Sequence, residues 1–289
     1  MVSKKWFDVF NIGFLVLLCG TIIVPFLMMI SQSLMSNEDI ARYGYTLLPK
    51  NIVFYSYKYL LVDNTFIYRG FAVSVFVTVI GTLCNLLFTC SLAYALSKKY
   101  LPWRNGMTIY VLITMFFSGG LIPAYLLVIN LGMKDSLWAL IIPGLISPWY
   151  MFLMRNFFME IPREVEESAY IDGANDIVVL SRIIIPMSLP SMATIGLFYA
   201  VSHWNSWFSA AIYLNSHGKW PLQLMLREMI TSFDMGAGDQ SQALEWMRLI
   251  PKEGVKAAAI LIVSLPIICV YPFLQKYFVK GMTVGSLKG

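Results

Sequence analysis

Residues Glu164–Pro190 read EVEESAYIDGANDIVVLSRIIIPMSLP, an acidic, small-residue segment between two long apolar runs. The run Ser136–Met154 precedes it, the run Ile183–Gly218 overlaps its end, and neither contains a charged residue. The segment therefore marks a place where the chain leaves an apolar environment and then returns to it.

The composition of the chain predicts an integral membrane protein. Hydrophobic residues make up 58% of its 289 residues and charged residues 13%, whereas soluble domains have roughly 45–50% and 25%. A hydrocarbon core of about 30 Å needs about 20 apolar helical residues. Because these runs lack the alternation of barrel strands, we expect them to be helices. The six long charge-free runs are Val9–Asn37, Gly70–Ser97, Asn105–Met133, Ser136–Met154, Ile183–Gly218 and Ala257–Gln275.

These runs predict an all-α membrane protein with one transmembrane domain over residues 1–289. A loop at 159–186 would lie on one side of the membrane, and two longer segments at 36–69 and 214–255 on the other. The amino-terminal run is too long for a secretory signal. The four cysteines lie within spans and lack the paired spacing of a metal or redox site. The six predicted spans are 9–33, 70–97, 106–129, 136–157, 187–213 and 256–276.

Lysine and arginine near the span ends predict the orientation. With the amino terminus inside, eleven of the 21 basic residues are cytoplasmic, and the bare count is nearly even. The short 97–106 loop alone holds Lys98, Lys99 and Arg104, whereas most outside basic residues lie in long segments, which the rule weights weakly. We therefore predict that both termini and the 159–186 loop are cytoplasmic.

The 159–186 loop carries six acidic residues, Glu160, Glu164, Glu166, Glu167, Asp172 and Asp176, against two basic ones, Arg163 and Arg182, which gives 2 − 6 = −4. An anionic inner leaflet would repel such a loop. Pro162 in a first turn and Gly173 as a stop predict a helix between them. From charge and spacing alone, the loop is either a surface presented to a partner protein or an ordinary solvated connecting helix.

The spacing of particular residues in this loop favours the partner surface. Glu167-Ser168-Ala169, then Gly173, Ile183 and Ile185-Pro186, resemble the EAA signature of binding-protein-dependent ABC importer permeases, with Ser168 and Ile185 departing from it. Outside the loop, Phe117–Pro123 and His203-Trp204-Asn205 are similar to the maltose-type carbohydrate group of these permeases. Within that group the chain resembles the lipoprotein-associated polysaccharide permeases.

The resemblance implies the type I ABC importer permease fold, in a bacterial cytoplasmic membrane, with 163–186 forming coupling helices that seat in a cytoplasmic ATPase. It implies a second homologous permease subunit, two cytoplasmic ATP-binding subunits, an extracytoplasmic sugar-binding protein and membrane lipid as partners. The cargo would be a carbohydrate such as an oligosaccharide. A peptide or amino acid stays open, since the signature reports the ATPase contact. The coupling residues would be Glu164, Glu167, Ser168, Ala169, Asp172, Gly173, Ile183 and Pro186.

The sequence predicts no chemistry in this chain itself. It lacks a G-x4-G-K-[ST] phosphate loop, so we expect no cofactor here and ATP and Mg bound by the partner ATPase. A Gly-x-Ser-x-Gly turn and paired metal-binding motifs are also absent, and His203 and His217 are the only histidines. We therefore predict a non-catalytic transport subunit without a metal site and without a nucleic-acid partner.

Four polar residues within the predicted spans are candidates for the substrate path: Asn85, Tyr199, His203 and Asn205. Aromatic rings can stack on a pyranose, while histidine and asparagine offer hydrogen bonds. The alternative is packing within the bundle or, for Trp204 and Trp207 nearby, anchoring at the interface. For Asn85 the alternative is a hydrogen bond between helices.

The third run contains a predicted break at Ser118-Gly119-Gly120 followed by Pro123. Pro123 cannot donate to the carbonyl of Gly119, which predicts a kink, either a gating hinge or a packing bend. The external 214–255 segment is too long for a simple turn. By resemblance it reaches toward the sugar-binding protein.

Overall fold

The computed structural model describes residues 2–63, 66–234 and 252–286, and within these ranges the regular structure is helical without strands. The predicted all-α class is confirmed. The α-helices, in chain order, are α1 (Val2–Ser33), α2 (Asn37–Tyr43), α3 (Tyr55–Lys58), α4 (Phe66–Ser97), α5 (Arg104–Phe116), α6 (Leu121–Asn130), α7 (Pro148–Glu160), α8 (Arg163–Ile171), α9 (Asp176–Val179), α10 (Ile185–Met187), α11 (Leu189–Trp204), α12 (Phe208–Tyr213), α13 (Leu222–Asp234) and α14 (Lys252–Ser286). Tight 3₁₀ turns lie at Leu137–Leu140, Ile142–Gly144 and His217–Lys219, and wider π turns at Tyr59–Asp63 and Leu180–Ile184.

Three stretches of helix are long and apolar enough to cross a membrane: Trp6–Ser33, Phe66–Ser97 and Lys252–Val270. Three bent pairs could each supply one more crossing, which gives three to six candidate spans among the described residues. The pairs are Arg104–Phe116 with Leu121–Asn130, bent by 114°, Leu137–Gly144 with Pro148–Glu160, bent by 53°, and Asp176–Met187 with Leu189–Trp204, bent by 85°.

The predicted break in the third run is present, and it lies before Pro123. Helix α5 ends at Phe116, and α6 begins at Leu121 after the non-helical residues 117–120. Pro123 therefore lies in the first turn of α6, where a helix does not need its amide hydrogen. The predicted break is therefore confirmed, with a bend of 114° between α5 and α6, and the proline helps to start the second helix.

The fourth and fifth runs are also discontinuous. Residues 137–144 form two 3₁₀ turns, the second of which contains Pro143, and α7 begins only at Pro148. In the fifth run, α11 ends at Trp204 and α12 starts at Phe208. The helical structure over the predicted spans 136–157 and 187–213 is therefore interrupted, because prolines and turns break the backbone bonding within these apolar runs.

The chain divides into two compact units, residues 1–68 with 225–265 and residues 69–224 with 266–289. In the first unit, the end of α1 bonds the segment after it. Val53 N donates to Leu34 O at 2.8 Å, and the hydroxyls of Ser33 and Tyr57 lie 2.9 Å apart. Met35 is fully buried there. This end of α1 therefore contacts folded chain rather than lipid.

The second unit has a core in which α4 and α7 pack beside the 163–187 segment. Leu96 of α4, Met151 and Met154 of α7, and Ile184 have no exposed side-chain surface. Arg104 Nε and Arg155 Nε each donate to Leu96 O at 2.9 Å, so two guanidinium groups bond a carbonyl at the end of α4. This end of α4 is thus a fixed base for the elements that follow.

Candidate functional site

Helix α8 has an outer and an inner face, set by helical spacing. Glu164, Glu167, Ser168 and Ile171 recur every three or four residues and are exposed. Glu164 and Glu166 lie in the first turn, where the positive end of the helix dipole favours acidic residues. We call residues 163–187 the coupling turn.

Gly173 ends α8 with a φ of +82°, the left-handed conformation that favours glycine. Ala174 N donates to Ala169 O and Gly173 N to Tyr170 O, both at 3.0 Å, the bond pair of a Schellman motif. Asn175 then caps α9, with its Oδ1 accepting from Val178 N at 2.9 Å. The predicted stop at Gly173 is confirmed as a closed turn between two helices.

An ion pair joins the inner face of α8 to the end of α4. Lys98 Nζ donates to Glu166 Oε2, and the two side chains are only 9% and 14% exposed. Lys98 Nζ also lies 4.0 Å from the centroid of the Tyr94 ring. Because both charges are largely removed from water, loss of either partner would leave the other uncompensated.

A second contact holds the start of α9. Tyr170 and Tyr100 donate to Asp176 Oδ1 at 2.6 and 2.8 Å. These hydrogen bonds, that from Tyr170 foremost, hold the pKa of Asp176 below its usual value. Burial foremost raises the pKa of Tyr100. Since the carboxylate stays ionised and the phenol protonated at neutral pH, the contact stays intact there.

The predicted coupling residues divide between the two faces. Glu164, Glu167, Ser168, Asp172, Gly173 and Pro186 are exposed, and Ile183 is half-buried. Ala169 is buried in the protein's own core beside Tyr94 and Phe158. Ala169, one of the predicted coupling residues, therefore lies on the inner face with Glu166.

Sequence reasoning missed the most exposed apolar side chains of the coupling turn. Ile171 is 86% exposed and Ile177 is 76% exposed, one on each side of the Gly173 turn. Their signal was present as isoleucines flanking a turn glycine in an acidic segment. Two exposed apolar side chains on a held base suit contact with another protein.

A buried polar row faces α11 from α4. Gly81, Asn85 and Thr89 are spaced by four residues and so lie on one face of α4. Asn85 is fully buried, and its Nδ2 donates to Gly144 O at 2.6 Å and to Leu145 O at 2.9 Å. Its Oδ1 lies 2.6 Å from His203 Nε2. As the amide oxygen can only accept, His203 Nε2 carries the proton of that bond.

The row depends on close approach and continues one turn along α4. A Cβ at Gly81 would lie 2.6 Å from His203 Nε2, so only glycine admits the ring. Tyr199 is 4% exposed, and its hydroxyl lies 2.8 Å from Thr89 Oγ1 and accepts from Ser147 N at 2.9 Å. Asn85 thus bonds the carbonyls of Gly144 and Leu145, and Tyr199 bonds the amide of Ser147, where the 3₁₀ turns give way to α7.

The structure brings together three of the four candidate substrate-path residues. Asn85, Tyr199 and His203 form the polar row, whereas Asn205 is exposed and accepts from Gln223 Nε2 at 3.3 Å. None of the four lines the apolar cavity of about 680 Å³ in this unit, beside Trp204 and Phe71. Those two rings make an edge-to-face contact at 6.0 Å.

A further cluster fixes the chain after α12, and sequence reasoning did not find it. Asp135 accepts from Asn215 N at 3.0 Å, from Ser216 N at 2.9 Å and from Ser216 Oγ at 2.7 Å, and Lys219 Nζ donates to it at 2.9 Å. The bonds from Ser216 contribute most to lowering the pKa of Asp135 below its usual range. The start of the predicted 214–255 segment is therefore held in place, while residues 235–251 lie outside the described residues.

Comparison with known proteins identifies a family and two relatives to which the chain is similar. Residues 76–284 match the family described as binding-protein-dependent transport system inner membrane component. The chain is 45% identical to protein LplC of Bacillus subtilis (strain 168), covering 99% of this chain and 96% of LplC. It is 39% identical to the polygalacturonan/rhamnogalacturonan transport system permease protein YtcP of the same strain, covering 100% of both.

A solved structure is similar over nearly the whole fold. It is the crystal structure of a bacterial ABC transporter involved in the import of the acidic polysaccharide alginate, with a TM-score of 0.89 and 32% identity. The match covers 96% of this chain and 98% of that chain. The arrangement of helices described above is therefore shared with a transporter subunit.

Proposed function

The chain belongs to the family of binding-protein-dependent transport system inner membrane components, and from that premise we propose that it is the permease subunit of an ATP-driven ABC importer for carbohydrate. It is a transport subunit and not an enzyme. The observation that carries the cargo assignment is full-length similarity to a permease named for polygalacturonan and rhamnogalacturonan, together with the alginate importer. A peptide or amino acid has no such support, and an oligosaccharide is favoured.

We propose that the chain crosses a bacterial cytoplasmic membrane six times with both termini in the cytoplasm. Three of the spans are the long helices, and two are the bent pairs over 104–130 and 137–160. The remaining span is Leu189–Trp204 with α12, since Asp176–Met187 belongs to the coupling turn. The bends supply turns within apolar runs, and the polar row satisfies backbone groups at one of them. Unsatisfied backbone groups are costly in lipid. The hydrogen bonds at residues 144–147 therefore support the proposal that a bent pair can cross the membrane as one span.

The coupling turn is our candidate for the ATPase contact. Its inner face is bonded to this chain, while its outer face presents Ile171, Ile177 and the acidic residues Glu164 and Glu167. A rigid base with an exposed tip can transmit displacement, because the tip cannot move without the end of α4. Asp172, Gly173, Ser168, Ile183 and Pro186 complete the proposed coupling set.

We infer the partner subunits from the number of coupling turns in one chain. One chain offers one coupling turn, whereas an ATPase dimer offers two clefts, so a second, homologous permease would complete a pseudo-two-fold assembly in the lipid bilayer. Two ATP-binding subunits would bind ATP and Mg, and an extracytoplasmic binding protein would deliver the sugar. ATP binding would shift the assembly between inward-open and outward-open states.

We narrow the substrate-path proposal to one of the four candidate residues. Asn85, Tyr199 and His203 have their hydrogen bonds directed at one another or at backbone, which supports the packing alternative. Asn205 is exposed and stays the proposed sugar contact of this set.

The test is purification of the tagged chain from mild detergent, followed by reconstitution with the sugar-binding protein and uptake of labelled oligogalacturonate, maltotriose and a tripeptide. We expect a second permease and an ATPase to co-purify, and ATP-dependent uptake of a carbohydrate but not of the peptide. Purification of the chain without an ATPase, or uptake of the peptide alone, would refute the proposal.

A further inference from the structure

The first compact unit contains a cavity of about 360 Å³. It lies at the end of α1 and the start of α14, with the segment after α2 and helix α13 completing its wall. Its volume falls within the roughly 300–1,000 Å³ typical of small-molecule sites. In the orientation proposed above, this end of α1 and α14 is extracytoplasmic.

Gln32 lines this cavity and is only 7% exposed. Its amide nitrogen Nε2 is buried and has no hydrogen-bond partner among the described residues. A buried amide left without a partner destabilises the folded state, and such groups in a folded protein call for an explanation. A bound ligand that accepts from Nε2 would supply one.

Helix α14 and Tyr45 add further polar and aromatic groups to the lining. Glu253 Oε1 and Lys256 Nζ lie 3.4 Å apart on the first turns of α14, and their side chains are 49% and 15% exposed. Tyr45 adds an aromatic ring that is 70% exposed. The cavity thus combines an amide donor, a carboxylate acceptor, an ammonium donor and one ring face.

The position of Tyr45 beside Gln32 is fixed by neighbouring bonds. The hydroxyls of Ser31 and Thr46 lie 3.4 Å apart, which ties the residue before Gln32 to the residue after Tyr45. Val53 N donates to Leu34 O at 2.8 Å, a second tie between the same two stretches. The two groups are therefore preorganised, which lowers the ordering cost of binding.

We propose that this cavity binds one pyranose unit of the transported carbohydrate at the outer end of the permease, with Gln32 donating to a ring hydroxyl and Tyr45 contacting the ring face. The proposal rests on the proposed function. A sugar fits the mixed donors and acceptors, whereas a phospholipid tail would leave Gln32 Nε2 unpaired.

The test measures direct binding of trigalacturonate and of maltotriose to the assembled transporter in nanodiscs, without the binding protein. Saturation-transfer NMR detects the binding. For Gln32→Leu, which keeps the size and removes the donor, we expect about fivefold weaker binding, as for one lost hydrogen bond. The same variant should have a higher thermal midpoint, because it removes an unpaired buried amide. If Gln32 had only a structural role, the variant would not show weaker sugar binding together with a higher thermal midpoint.

Tyr45→Ala should weaken binding by about fivefold through loss of the ring face. Tyr43→Ala is its matched control, since Tyr43 lies two residues away, contacts Arg42 and Lys50, and does not line the cavity. Wild-type sugar affinity in Gln32→Leu would overturn the proposal, as would a phospholipid that stays bound by mass spectrometry while neither sugar displaces it. If the wild type transports carbohydrate but binds neither sugar here, only this site fails. Failure to transport any carbohydrate refutes the proposed function itself.

Discussion

The coupling turn and the polar row are both polar regions of an apolar protein, and they differ in where their polar groups are directed. In the polar row, the amide of Asn85 and the hydroxyl of Tyr199 bond groups within the chain. In the coupling turn, the bonds to elements outside the turn come from Glu166 and Asp176. The outer face is left for contact with something else.

This difference shows that polarity within a membrane protein is not by itself evidence of a ligand. A polar group that already has its partners contributes to structure, whereas an exposed or unpaired one is available for binding. Variants in the two regions should therefore have different effects. Substitutions in the polar row should lower stability, and substitutions on the outer face of the coupling turn should weaken retention of the partner.

The largest effect should come from Asn85→Leu. It removes two donors from Gly144 O and Leu145 O and the acceptor for His203, so we expect the free energy of unfolding to fall by about 3 kcal/mol. The measurement is the thermal midpoint of the purified protein in detergent. Asn205→Leu is the control, because Asn205 is exposed, and its stability should change by less than about 0.5 kcal/mol. A stable Asn85→Leu variant with impaired uptake would instead return Asn85 to the substrate path.

The next effect concerns the apolar tips. Replacing Ile171 or Ile177 with serine should weaken ATPase retention by about tenfold each, as expected when a buried isoleucine is lost from an interface. The thermal midpoint of the permease should stay unchanged, because both side chains are exposed. Ile52→Ser is the control, an isoleucine that is 63% exposed in the 36–69 segment. Equal retention in all three variants would remove the coupling turn from the ATPase contact.

Much of the fold was accessible from sequence because long charge-free runs report helices in lipid directly. The positions of the bends were harder to predict from the sequence. The run Ser136–Met154 contains no charged residue that would mark a bend, and its 3₁₀ turns depend on Pro143 and on the distant donor Asn85. Local composition does not contain that long-range bond.

The candidate site was predictable to a similar extent. The glycine stop of α8 was confirmed, since a positive φ leaves a clear preference in sequence. The direction of each side chain was not accessible: Glu166 and Glu167 are adjacent and chemically identical, yet Glu166 pairs with Lys98 from 68 residues away while Glu167 is exposed. Only the packing of α8 on α4 distinguishes them.

Gly173→Asp tests whether the shape of the turn matters beyond its surface. The side chain would meet open space, so the cost is the left-handed backbone, about 1 kcal/mol. We expect sugar uptake to fall by about tenfold as the tip moves out of register with the ATPase. Gly132→Asp is matched, with a φ of +70° and the same open surroundings. Equal loss in both variants would assign the effect to backbone strain alone.

Glu167→Lys should have a smaller effect that depends on salt. Reversing one exposed charge at a protein contact changes affinity by about 0.5–1 kcal/mol at low ionic strength, and salt screens it. Retention of the ATPase should therefore drop a few-fold in low salt and recover in high salt. A salt-independent loss would indicate that Glu167 contributes by packing rather than by charge.

The smallest effect should be that of pH on the held base of the coupling turn. Hydrogen bonds from Tyr170 and Tyr100 lower the pKa of Asp176. The stabilisation is therefore fully present above the ordinary carboxyl pKa of about 3.9 and is lost only as pH falls through the lowered value. Burial foremost raises the pKa of both tyrosines, so the donors also keep their protons. Retention of the ATPase should consequently stay flat from roughly pH 5.5 to 8.5. Asp176→Ala should lower retention by the same factor throughout that window, because it removes the acceptor and not a titrating group. A wild-type retention that changes within the window would show that some other group, and not this contact, controls the position of the turn.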